Sequence, residues 1–160
     1  MEYVAAFVLR CSLACAVAYE LTAWSGMSKP VWAAISALVV SQERLADTRS
    51  SLNARIVGTA AGAAISLVIG ALGARVGALL GAELVVSVAI AAFVAHRHPA
   101  IRVAMWTCPV VLLTAEPSES LAATALQRAC EVLFGASVGW GFHWVAEKLI
   151  LKRPASQPGP

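Results

Sequence analysis

Six apolar runs, bounded by Pro, Gly and charge, constrain this chain more than any other feature. They fall at roughly 4–24, 29–42, 55–72, 76–95, 100–115 and 121–147. Backbone that must be satisfied in hydrocarbon is either helical or part of a closed barrel. The runs show no period-two alternation and are dominated by Ala and Leu, so the sequence predicts helices. Composition agrees with a lipid environment. Only 13% of residues are charged and 59% are hydrophobic, against about 25% and 45–50% in an ordinary soluble domain. A soluble fold this small lacks the charge to cover its surface, whereas lipid lets apolar side chains face outward. At about 20 residues per crossing, 160 residues have room for six short-looped spans and no separate soluble domain. The expectation is an all-α polytopic membrane bundle of six transmembrane helices over 1–148, followed by a disordered cytoplasmic tail over 149–160 that includes KRPASQPGP. The start, Met-Glu-Tyr, has no basic n-region and Arg10 interrupts the first run, so no cleavable signal peptide is expected.

Loop charge sets the expected orientation. With six spans, the junctions 43–55 and 96–102 and the carboxyl end share one side. They carry Arg44, Arg49, Arg55, Arg97, Arg102, Lys148, Lys152 and Arg153, against Lys29, Arg75 and Arg128 opposite. Eight against three is a positive-inside bias that places both termini in the cytoplasm. Trp24 and Trp32 then fall near the outer interface and Trp144 near the inner one.

Sliding the chain on itself by 73 positions aligns VVSQE, ending at Glu43, with LLTAE, ending at Glu116, and pairs Arg55 with Arg128 and Gly62 with Gly135. Each unit has three helices, and an odd number of spans turns the second copy upside down. Inverted repeats of this kind recur in transporters, with the substrate route where the copies meet. The runs 29–42 and 100–115 occupy matching places and are short. Fourteen residues rise about 21 Å against a hydrocarbon core of about 30 Å. Either the polar junctions dip into the membrane, or they continue the helices while Arg and Glu snorkel outward.

Small residues recur every four positions: Gly58, Gly62, Ser66 and Gly70, then Gly73, Gly77 and Gly81, then Gly135 and Gly139. Such rows let helix backbones approach closely, within one subunit or between subunits. Ionisable groups inside the runs are Arg10, Glu20, Glu83, Arg128 and Glu131. Each is expensive in hydrocarbon, so it is paired or lines a wet route. Arg128 and Glu131 stand three apart, share a helix face and can neutralise each other. The other reading is a polar path in which arginines attract a carboxylate and a Glu takes up protons. His96 and His98 flank Arg97 with no third ligand near, which reads as a solvated basic loop and not a metal site. Cys11, Cys15, Cys108 and Cys130 lack CxxC spacing and read as small packing residues. No nucleophile–base grouping, phosphate loop or nucleic-acid motif is visible, so neither an enzyme nor a cofactor or nucleic-acid partner is expected.

PVWAAISALVVSQ at 30–42, a polar stretch with Ser51, and ARIVGTAAGA at 54–63 together resemble the fusaric-acid-resistance family of bacterial membrane proteins, which includes the aromatic acid exporters. The resemblance rests on Pro30, Trp32, Gln42, Arg55, Gly58 and Thr59, with Gly62 one turn on, and in the second half on Arg128, Glu131 and Gly135 in the expected order. It implies a cytoplasmic-membrane protein built of six-span units, exporting aromatic carboxylic acids in its better-known members. Plant malate-activated anion channels are similar in architecture, which implies a channel-like mode as well. Larger members carry two such units and a cytoplasmic domain, and a single unit is expected to act as a homo-dimer or higher homo-oligomer. The expected substrate path, for a small organic anion, holds Trp32 as a stacking face, Gln42 as a donor, Arg55 and Arg128 at the two mouths and Glu131 as proton coupler. Gly58, Gly62, Gly77, Gly81, Gly135 and Gly139 are the expected packing or interface glycines. A non-transporting membrane scaffold or partner subunit is the rival expectation.

Overall fold

The computed structural model describes residues 2–41 and 45–150. Gln42, Glu43, Arg44 and the stretch 151–160, most of the expected tail, lie outside the described residues. Six α-helices account for the described chain, which contains no strand: α1 Glu2–Trp24, α2 Val31–Val40, α3 Leu45–Val76, α4 Leu80–Arg97, α5 Ala104–Leu113 and α6 Leu121–Ile150. A single 3-10 turn, Pro99–Ile101, precedes α5.

Glycine and proline punctuate the helices for identifiable reasons. After α1, Gly26 takes φ +77° and the Met27 N–H reaches back to the Thr22 carbonyl. After α3, Gly77 takes φ +65° and the Ala78 N–H bonds the Gly73 carbonyl. Both are left-handed caps whose 6→1 bond satisfies a carbonyl that the helix end would otherwise leave without a partner. Pro30 opens α2, where its missing N–H costs nothing. Pro109 sits inside α5 and forfeits one intrahelical bond there.

Three helices are long and apolar enough to cross a membrane by length and composition: α1, α3 from Arg49 onward, and α4. With 30 residues α6 has the length, but Gln127, Arg128, Glu131 and His143 dilute its apolar character. The ten-residue helices α2 and α5 rise only about 15 Å each, half the depth of hydrocarbon. Expectation and structure differ most at the junction 43–55, since α3 already begins at Leu45. The polar stretch there continues the helix.

Packing is inside-out relative to a soluble protein. Alanines and small polar residues fill the interior, while Leu9, Leu13, Val68, Leu72, Phe93 and Leu126 face outward. One core cluster joins Ala18, Ala33 and Ala37 with Val138, from α1, α2 and α6. The other joins Ala91, Ala104 and Cys108 with Ile65, from α4, α5 and α3. Ala18 and Ala91 are 73 positions apart, as are Ile65 and Val138. Exchanging α1, α2 and α3 for α4, α5 and α6 also maps the packed pairs onto one another: α1 with α2 onto α4 with α5, α2 with α6 onto α5 with α3, and α1 with α6 onto α4 with α3. Each short helix therefore packs against the long helix of the other trio.

Those crossings are where glycine is required. A methyl group at Gly135 would strike the backbone of Ala33, and one at Gly139 would stand 2.5 Å from the Ala37 carbonyl oxygen. On the other side, methyls at Gly58 and Gly62 would meet Val103 and Thr107 at 2.5 Å. Gly77 and Gly81 have nothing within 4 Å. Within the chain Gly77 is a turn residue and Gly81 faces open space, so neither makes a close helix contact there.

Candidate functional site

The buried ionisable side chains Arg10, Arg128, Glu131 and His143 lie on α1 and α6, both of which pack against α2. At the start of α2, the loop after α1 lies against the first turns of α6. Arg128 Nη1 stands 2.8 Å from Glu131 Oε2, with exposures of only 2% and 0%, although no aligned N–H···O bond connects that pair of atoms. Arg128 Nη2 donates to Ser28 Oγ at 2.5 Å, and Ser28 donates to Gln127 Oε1 at 3.1 Å. The other Glu131 oxygen accepts the Lys29 backbone N–H at 2.8 Å. Lys29 Nζ in turn pairs with Glu116 Oε1 at 3.4 Å across two exposed loops. The i,i+3 spacing of Arg128 and Glu131 brings them to one face, as the helix period requires. Their partners Ser28 and Lys29 come from about a hundred residues away and carry no sequence signal for this contact.

Arg55 is placed differently. It projects from α3 toward the middle of α2, half-buried, and its Nε donates to Ser36 Oγ at 3.2 Å. Among the described residues no carboxylate stands within ion-pair distance of it. Ser36 is fully buried and donates its own proton to the Val132 carbonyl of α6 at 2.6 Å. Trp32 is half-buried in the first turn of α2, one turn before Ser36 on the same helix face. The structure thus sets Trp32 between the two arginine-bearing regions, while Gln42 lies outside the described residues.

A second buried cation sits farther along α6. Arg10 of α1 donates from Nη1 to His143 Nδ1 at 2.6 Å and lies over the Phe7 ring at 5.1 Å. A guanidinium only donates, so Nδ1 accepts and the ring proton is on Nε2. Sequence reading missed this pair, because the two residues are 133 positions apart. Glu83 rests against Gly73 of α3. Glu20 is exposed on α1, in a shallow groove of about 550 Å³ shared with Cys11, Ser12, Cys15 and Tyr19. Among the described residues no group of three or more potential metal ligands occurs, and the four cysteines are free.

Between the Arg128 and Arg10 ends, the interior face of α6 is Val132, Gly135, Ala136 and Gly139. There the backbones of α2 and α6 touch, and the seam is closed. The chain therefore presents a neutralised buried pair at one end of α2, a guanidinium that meets no carboxylate among the described residues at its middle, and a close backbone contact alongside.

No curated protein matches this chain, and no solved structure does either. The model of the fusaric acid resistance protein-like family matches residues 13–142, which take in part or all of every helix described above together with Trp32, Arg55, Arg128 and Glu131. A match over most of the length, on a chain whose long helices suit lipid and whose core is built of small residues, places it: this is a membrane protein belonging to the fusaric acid resistance protein-like family, whose members are associated with membrane transport.

Proposed function

We propose that the protein is a transporter or pore-like conduit for small organic anions in the cytoplasmic membrane, working as a homo-oligomer with both termini in the cytoplasm. In this reading α1–α3 and α4–α6 are inverted copies, all six helices enter the bilayer, and the substrate is an aromatic or similar carboxylate. The contrast between the two repeat-related arginines carries it. Arg128 is neutralised by Glu131, whereas among the described residues Arg55 meets a serine hydroxyl and no carboxylate. A guanidinium kept without a carboxylate in a largely apolar helix is costly, and an anion passing through would supply the missing charge. Arg55 is then the anion contact at the inner mouth. The Arg128–Glu131 pair closes the outer one, and Glu131 is its proton acceptor. Because the seams inside one protomer are closed by glycine contacts, a second copy completes the wall of the route.

Purified protein in liposomes should pass benzoate down its gradient. Arg55→Ala should reduce that flux by about ten- to a hundredfold, the equivalent of losing charged hydrogen bonds worth about 1.5–3 kcal/mol. Absence of flux of chloride, malate and benzoate by the unaltered protein would defeat the proposal.

The same closed seams favour a second reading, a membrane scaffold that conducts nothing. It requires a second protein that copurifies from native membranes and is lost with this chain, together with no anion flux.

A further inference from the structure

Resting on the anion reading, we infer that Ser36 and Thr59 complete a carboxylate subsite around Arg55, with Ser36 a positioning residue and Thr59 a direct hydroxyl donor. The hydrogen bonds around Ser36 define its part. Its single proton is committed to the Val132 carbonyl at 2.6 Å, so toward Arg55 it is purely an acceptor, of Nε–H at 3.2 Å. A hydroxyl whose proton is fixed has a fixed lone pair, and that lone pair fixes the guanidinium plane. With Nε occupied, the four N–H groups on Nη1 and Nη2 meet no carboxylate among the described residues. They form the planar fork that binds the two oxygens of a carboxylate side by side.

Thr59 supplies the independent observation. It lies one turn beyond Arg55 on the same face of α3, is 1% exposed, and its Oγ1 has no hydrogen-bond partner. Buried threonines in helices ordinarily bond back to the carbonyl one turn earlier. Thr22 and Thr107 of this chain do so, to Ala18 and Val103 at 2.6 and 3.1 Å. Thr59 leaves its donor unused instead, one helical turn from the residue that carries the guanidinium. (Thr124 also lacks a partner, but it stands in the first turn of α6, away from Arg55.) One cation and one spare donor suit a monoanion with two coplanar oxygens, and Trp32, one turn from Ser36 on α2, borders the same region.

The test uses the full chain in detergent or nanodiscs with benzoate and chloride as probes. Binding is read by calorimetry and stability by thermal unfolding. Thr59→Val should weaken benzoate binding about tenfold while leaving the unfolding midpoint unchanged or raised, because it deletes a hydroxyl that bonds nothing in the protein. Thr59→Ser should bind like the unaltered chain. Ser36→Ala should lower the benzoate-to-chloride preference, since a spherical ion does not require an oriented fork. Benzoate binding within twofold of normal in Thr59→Val, with Arg55→Ala inactive, would overturn the subsite and leave the anion reading standing. No benzoate binding by the unaltered chain would remove both. Should Ser36→Ala fail to fold, the Thr59 pair decides alone.

Discussion

Replacing Glu131 by alanine is expected to lower stability by about 3–5 kcal/mol, the usual penalty for stranding a buried charge. Arg128 and Glu131 are 2% and 0% exposed and 2.8 Å apart, so water cannot replace the carboxylate once it is removed. The Lys29 N–H loses its acceptor in the same step, which loosens the loop between α1 and α2. Most of the loss should come from the orphaned guanidinium and not from the broken attraction, because the attraction is largely offset by the desolvation of both groups. The double variant Arg128→Met with Glu131→Leu should therefore recover most of what Glu131→Ala loses. Denaturant or thermal unfolding in detergent measures both. A loss below about 1 kcal/mol for the single variant is the figure for a solvated pair, and it would mean that water reaches this end of α6.

Gly135→Ala should be nearly as damaging, at about 3 kcal/mol, the upper end of the overpacking range. The added methyl meets the backbone of Ala33, which cannot rotate aside as a side chain would. Relief requires α2 and α6 to part, and that parting pulls Ser36 from the Val132 carbonyl. Gly81→Ala is the matched control, since it meets nothing within 4 Å and gains up to about 1 kcal/mol of helix propensity. Equal unfolding midpoints for the two variants would contradict the close α2–α6 contact.

Much of this fold was legible in the chain because lipid demands apolar runs, and the six runs anticipate the six helices. Their ends were less legible, for a physical reason. Apolarity reports where a helix meets lipid, not where its hydrogen bonds begin. Thus α3 extends through Arg49, Ser50 and Asn53 to Leu45, although those residues end the apolar pattern. The ion pair of Arg128 with Glu131 could be read from spacing alone, since helix geometry fixes it. The bond of Arg55 to Ser36 could not, because Ser36 looks like any small residue in an apolar helix until α3 is laid against α2. The same holds for Arg10 with His143, and for Ser28 with Arg128. Glycines were read as packing residues from their spacing. Only the three-dimensional fold separates Gly135, which faces a backbone, from Gly81, which faces none.

The brevity of α2 has a consequence for how the chain is made. At about 15 Å it cannot bridge the bilayer, and its end groups would open onto hydrocarbon if it entered alone. Its seat is formed by α1 and by α6, the latest of the six described helices in chain order. The segment is expected to wait at the water boundary until α6 has been made, and to settle only then. In a chain whose own cysteines are replaced, a cysteine at Ala37, fully buried in the finished fold, should react with a water-soluble maleimide in nascent chains arrested before Leu121. It should become protected in the complete protein, and protection already present in the arrested chain would refute late seating.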